Sequence, residues 1–219
     1  MLENPLALSA WTQSRGEELA NSISHAVGLV GAIIGTPILL QAAFRHANIF
    51  FLVGTAVFTA TMLLVYFGSM LYHAWPRTRV KSFLQVLDHS AIFLLIAGTY
   101  TPFALGPLRD AGGLTMLGIV WTLALFGVVM KTTRGPLRHR KLAMTLYLGT
   151  GWLGLLLIRP LALAVPWSAV LWLIAGGIAY TAGTLFFANE RLRYAHFVWH
   201  LFVLAGTSCH FAAVFVCAI

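Results

Sequence analysis

The chain has 219 residues, of which 59% are hydrophobic and only 9% charged. A soluble domain carries about 25% charged residues, so this balance excludes an ordinary globular protein and points to a polytopic membrane protein. The formal net charge of +8 does not indicate nucleic-acid binding, because the basic residues fall in short loops rather than on one groove-sized surface.

A hydrocarbon core of about 30 Å needs about 20 apolar residues per helical span. Seven runs meet that length: 22–44, 49–73, 83–105, 112–131, 142–159, 168–188 and 195–218. The expected fold is therefore all-α, a single seven-transmembrane-helix bundle over 1–219 with a short N-terminal segment, 1–21. That segment carries Glu3, Glu17 and Glu18 and lacks an apolar signal-peptide core, so the first span is expected to direct insertion itself. In that span Gly31 and Gly35 form a GxxxG pair suited to close helix approach, and Pro37 is expected to kink or loosen the helix. Pro102 is expected to begin the end of the third span, completed by Gly106 and Pro107. Gly149, Gly151 and Gly154 in span five, and Gly176, Gly177 and Gly183 in span six, read as packing positions. Cys209 and Cys217, eight residues apart on the last span, read as small packing residues rather than a disulfide. No internal repeat is visible, which argues against a transporter built from inverted halves.

The loops set the orientation. One side collects Arg15, Arg77, Arg79, Lys81, Lys131, Arg134, Arg138, Arg140, Lys141, Arg191 and Arg193, and the other only Arg45, Arg109 and Arg159. By the positive-inside rule the N-terminus is expected in the cytoplasm and the C-terminus outside, in a multi-pass protein of the cell's inner (plasma) membrane. The basic stretch 131–141 is also placed to touch anionic headgroups.

With this threading, the polar residues of the spans gather at one end of the bundle. Asn21, Ser22, Ser24 and His25 open span one; Ser69 and His73 close span two; Asp88 and His89 open span three; His196 and His200 open span seven. Imidazoles at the ends of apolar segments are costly unless they are paired, wet or metal-bound. His196 and His200 are spaced i, i+4 and so share a helix face. With His73 they make three nitrogen donors suited to zinc, leaving a fourth position for water. Such a site acidifies the water and polarises a carbonyl. Ser69 lies one turn from His73, within reach of a metal ligand or the water. Asp88 is the candidate carboxylate for orienting the water and taking its proton. His89 points about 100° away from Asp88 and ranks behind it. His46 and His139 read as solvated loop residues. His210 lies too far along the last helix to share the metal and reads as a buried residue hydrogen-bonded between helices. His25 is expected to cap or bond locally with Asn21 and Ser24 rather than ligate.

Four ordered motifs carry a family likeness: Glu17/Glu18 with NSISH (21–25), SMLYH (69–73), LDHSAIFLLIAGTYTP (87–102) and HFVWHLFVLAGT (196–207). Together they resemble the bacterial hemolysin III-related proteins, within the wider progestin and adipoQ receptor family that includes the adiponectin receptors. The resemblance implies a seven-helix protein with its N-terminus inside and a zinc ion held by His73, His196 and His200. Asp88 and Ser69 fall at the accompanying polar positions. It also implies lipid-amide hydrolysis of the ceramidase kind, with membrane lipids as substrate or ligand. A non-enzymatic lipid sensor or regulator with a structural zinc is the alternative. A channel is disfavoured because the outer halves of the spans are almost wholly apolar.

Overall fold

The computed structural model describes residues 13–46, 48–76, 78–134, 140–189 and 191–219. His139 and the other residues of 135–139 within the basic stretch 131–141 lie outside these, as does the side chain of His46. Within them the chain is helical apart from short connections, with no strand. Its elements are α1 (Arg15–His46), α2 (Ile49–Ala74), α3 (Arg79–Leu105), α4 (Leu114–Arg134), α5 (Arg140–Trp152), α6 (Ile158–Ala164), α7 (Trp167–Ala188) and α8 (Ala195–Ala218). A π-type turn over Arg109–Gly113 leads into α4, and a 3₁₀ segment, Leu153–Leu157, joins α5 to α6. Seven helices, counting α5 to α6 as one, are long and apolar enough to cross a membrane.

Packing order follows the chain on one side of the bundle. Helix α1 lies between α2 and α8; α2 packs on α3, α3 on α4, and α7 on α8. Large apolar side chains point outward as readily as inward: Val27, Val30, Ile33, Ile34 and Ile38 of α1 are all exposed to where lipid would be. The inward face is marked instead by small and polar residues, including Asn21, Thr55, Thr59, Ser69 and Thr207, all nearly inaccessible. Burying such groups requires hydrogen bonds, and the threonines supply them locally, as when Thr55 donates to the Phe51 carbonyl at 2.8 Å.

Several expectations need correction. Helix α1 begins at Arg15, seven residues before the start read from hydropathy, and contains Pro37. Helix α3 likewise continues through Pro102 to Leu105 and is capped at Gly106. Pro102 does not start its breakdown; its backbone is where α3 comes closest to Gly54 of α2. Gly31 faces open space, so the GxxxG pair is not a packing seam; Gly35 alone of the two meets Phe211 of α8. Gly149 and Gly151 also face open space. Lys131 is no loop residue but is buried within the last turn of α4, at 3% exposure.

The fifth span is broken rather than continuous. Tyr100 of α3 fills the break with one hydroxyl: it donates toward the Thr150 and Gly151 carbonyls at 2.9 and 2.7 Å and accepts the Gly154 N–H at 2.9 Å. Irregular backbone at membrane depth persists where protein groups satisfy it or where it lines a cavity, and here both conditions hold.

Candidate metal centre

Short connections make successive spans antiparallel, so the end of α2 and the starts of α1, α3 and α8 share one end of the bundle. With α1 wedged between α2 and α8, His73 in the last turn of α2 faces His196 and His200 in the first turns of α8. Ring centroids stand 5.1 Å apart for His73 and His196, 5.0 Å for His73 and His200, and 4.6 Å for His196 and His200. One ring nitrogen from each lies within 4.8 Å of the others, a set placed to hold a metal ion. Around a tetrahedral zinc at about 2.0 to 2.1 Å the donor nitrogens stand roughly 3.3 Å apart, within the 4.8 Å spread of this set.

The donor chemistry fits a cation. His73 Nδ1 is 2.7 Å from the Glu18 carboxylate, so Nδ1 carries the proton and donates. That leaves Nε2 as the bare nitrogen, and it is buried without a hydrogen-bond partner. The Asn21 amide at 3.5 Å from the same Nδ1 is too far to compete. His200 is set the same way. Its Nδ1 faces the Asn21 carbonyl at 3.2 Å and Ser24 Oγ at 3.1 Å. Ser24 spends its own hydrogen on the Asn21 carbonyl at 2.8 Å, so Oγ is free to accept from the imidazole. Both contacts fix the proton on Nδ1 and leave Nε2 as the lone-pair nitrogen. A histidine whose outer N–H is tied to a carboxylate or carbonyl is oriented as a metal ligand. Imidazoles so buried, with His73 4% and His200 2% exposed, are not solvated surface groups.

Glu18 is the functional residue that sequence reading did not assign. It bridges His73 and Lys81, whose ammonium lies 2.8 Å from its other oxygen. The available signal was spacing: Glu18, Asn21 and His25 recur at i, i+3, i+7, one face of a helix. His25 corrects an expectation too. It bonds to neither Asn21 nor Ser24, which serve His200, but stacks flat on His200 with centroids 3.7 Å apart and planes 9° from parallel. Its ring also meets the edge of Tyr66, and neither of its nitrogens has a hydrogen-bond partner.

The remaining candidates surround the cluster. Ser69 is wholly buried, and its hydroxyl bonds to no ligand histidine or any other group. Asp88 is buried at 7% exposure on α3, outside the set of groups within 4.8 Å of one another. The backbone carbonyl of His89 accepts from Tyr147 at 2.9 Å. His210 stands apart, bonding through Nε2 to the Leu173 carbonyl of α7 at 3.3 Å, as expected of a cross-helix pair.

A largely apolar cavity of about 170 Å³ runs between the spans, with Trp199 and Val203 of α8 in its wall. Val65, Ile92, Tyr147, Thr184, Trp199 and Val203 line its near part, and the wall continues past the broken fifth span to Leu173 and His210.

Comparison with known proteins agrees with this architecture. Residues 13–211 match the family model described as Haemolysin-III related. The "Hemolysin-3 homolog" of Bacillus subtilis (strain 168) is 39% identical over 203 residues, covering 93% of each chain. "Hemolysin-3" of Bacillus cereus is 40% identical over 207 residues, covering 94% of each. Weaker similarity reaches an adiponectin-receptor-like protein, human "Monocyte to macrophage differentiation factor", 24% identical over 206 residues and covering 90% of this chain and 83% of that one. With seven apolar helices and this likeness along nearly its whole length, the chain is a multi-pass membrane protein that belongs to the haemolysin-III related family.

Proposed function

We propose that the chain is a zinc-dependent hydrolase of lipid amides, of the ceramidase kind, with His73, His196 and His200 as the metal ligands. The observation that carries this reading is the adjacency of two features. Imidazoles with bare nitrogens stand beside an apolar cavity lined by six spans, whose wall includes Trp199 and Val203, next to and three residues beyond His200. A lipid whose acyl chain enters the cavity brings its carbonyl toward the histidines, and that places an amide or ester rather than a hydrocarbon at the reacting end.

A bound zinc ion would supply an acidified water and polarise the carbonyl. The protein's own residues do the rest. Glu18, Asn21 and Ser24 hold the imidazoles of His73 and His200 in one tautomer. Asp88 is the carboxylate assigned to take the proton from the attacking water and return it to the leaving amine. Ser69, whose hydroxyl is buried and unspent, is assigned to bond the water or the carbonyl oxygen. Apolar walls exclude bulk water. By the positive-inside rule, the excess of basic residues at this end assigns it to the cytoplasmic face in this reading.

The test is release of fatty acid by detergent-purified, zinc-loaded protein from ceramide-like and other N-acyl lipids, with Asp88→Asn as the control. Turnover abolished by that substitution supports the reading, and no release from any substrate at full metal occupancy counts against it. A second reading, a lipid sensor with a structural metal, is favoured by the near-complete burial of His73 and His200. It predicts that metal removal lowers the melting temperature while no lipid is turned over.

A further inference from the structure

Glu17 and Glu18 are neighbours in sequence, yet their side chains serve different helices. Glu18 holds His73 of α2 through Oε2 at 2.7 Å, and Lys81 of α3 grips its Oε1 at 2.8 Å. With both oxygens engaged, the Glu18 carboxylate is pinned in a single orientation toward the imidazole.

Glu17 turns the other way. Its Oε1 accepts the backbone N–H of Tyr194 at 3.0 Å, across 177 residues of sequence. Its Oε2 accepts from the N–H and hydroxyl of Ser14 at 2.9 and 2.8 Å, and the Glu17 N–H returns a bond to Ser14 Oγ at 3.3 Å. That reciprocal pattern is a capping box for α1, but it uses only one of the two carboxylate oxygens. The other is spent on Tyr194, the residue that immediately precedes α8 and stands two positions before His196. Tyr194 has φ 57, the left-handed region, and no other non-glycine residue among those described has a positive φ. A left-handed residue at a helix entry fixes the direction in which the helix departs, and it persists only where its surroundings hold it. Gly16, on the same turn of α1, makes room for it: a Cβ there would stand 3.0 Å from the Tyr194 hydroxyl.

We propose that the first turn of α1 is a two-armed positioning device for the histidine cluster. Glu18 fixes the ring and tautomer of His73, and Glu17 fixes the entry of α8 and so the register at which His196 and His200 face it. The proposal rests on these histidines being metal ligands and adds what holds their two halves together. The ligands come from two helices, and α1 packs between both, so one turn of α1 is able to reference each half to the other. Neither glutamate touches the metal; both are positioning residues. A merely structural role, with the two acidic groups serving the start of α1 through capping and the helix dipole, makes a different prediction. In that case Ser14→Ala and Glu17→Ala have equal effects and metal affinity is untouched.

The experiment is metal titration of the full-length, detergent-purified chain after stripping, with Co²⁺ as the spectroscopic probe and Zn²⁺ measured by competition. Glu18→Gln is expected to weaken Zn²⁺ binding about 10- to 100-fold and to shift the Co²⁺ absorption bands. Glu17→Ala is expected to weaken it by about 3- to 10-fold, Glu17→Gln, which keeps an acceptor oxygen for the Tyr194 N–H, to stay near wild type, and Ser14→Ala to stay within about twofold. Lys81→Met is expected to cost less than Glu18→Gln and to add nothing when combined with it. Melting temperatures of the metal-free variants establish that each is folded. Should Glu17→Ala not fold, Gly16→Val, which crowds Tyr194 while keeping both carboxylates, reads the same arm. Wild-type affinity in Glu18→Gln, or Glu17→Ala binding no more weakly than Ser14→Ala, overturns the proposal. A wild-type protein that takes up neither ion overturns instead the metal reading on which it rests.

Discussion

Ser24 Oγ lies 3.1 Å from His200 Nδ1, a contact across 176 residues that joins the first span to the last. The same hydroxyl donates to the Asn21 carbonyl, which itself lies 3.2 Å from that nitrogen. Two acceptors thus agree on one tautomer for one buried imidazole.

Ser24→Ala removes one of the two acceptors of the His200 N–H while leaving the Asn21 carbonyl in place. We expect a metal affinity reduced by up to about 10-fold and a stability loss of about 1 kcal/mol. Metal competition titration and thermal unfolding in detergent read the two effects. An unchanged affinity would mean that Ser24 packs against His200 without orienting it.

His25 is buried against His200 with two unmet nitrogens. His25→Phe keeps a flat ring in the stack and removes two polar atoms that cost about 1 kcal/mol or more when unsatisfied. The variant is therefore expected to melt at or above the wild-type temperature and to retain its metal. A clear drop in melting temperature would show that the His25 nitrogens bond in the folded protein.

Tyr100→Phe deletes one hydroxyl that serves three backbone groups of the broken fifth span. Thr150 is buried, Gly154 half-buried and Gly151 exposed, and leaving such buried backbone groups unpaired costs about 1 to 3 kcal/mol, so this variant is expected to be destabilised by about 1 to 3 kcal/mol. Its fifth span should also become more open to protease near Leu153–Leu157. Chemical unfolding and limited proteolysis measure this, and wild-type behaviour in both would mean that water or lipid replaces the hydroxyl.

Acid should release the metal. Ligation needs three bare imidazole nitrogens, so protons compete with the ion, and affinity falls as pH is lowered from neutral into the acid range. Metal retained per chain after equilibration across that range gives the curve. Retention independent of pH would point to ligands other than histidine.

The seven spans and the histidine triad were legible because hydropathy and the alternation of span direction need no knowledge of packing. His73 ends an apolar run and His196 and His200 begin one, so an even number of spans between α2 and α8, four here, brings them together. Partners across helices were not legible. Ser24 and His25 sit one residue apart, and sequence alone favours local bonds for both. Only the packing of α1 on α8 gives Ser24 to the His200 edge and His25 to its face. Lys131 read as a loop residue because a charge at the end of an apolar run normally marks the interface; its burial depends on neighbouring helices. The break in span five was hidden by unbroken hydropathy, although Pro160 and the glycines at 149, 151 and 154 are weak helix formers. Hydrophobic periodicity could not orient the spans, since a helix in lipid is apolar on every side.

The measurement that tests the account most directly is metal content per chain in purified wild type beside His196→Ala. The account predicts about one tightly held ion in the wild type, zinc by the nature of its three nitrogen donors, and clear loss in the variant while its helical content is kept. A well-folded wild type without metal, or a variant that holds it as firmly, would contradict the assignment of His73, His196 and His200 as a metal centre.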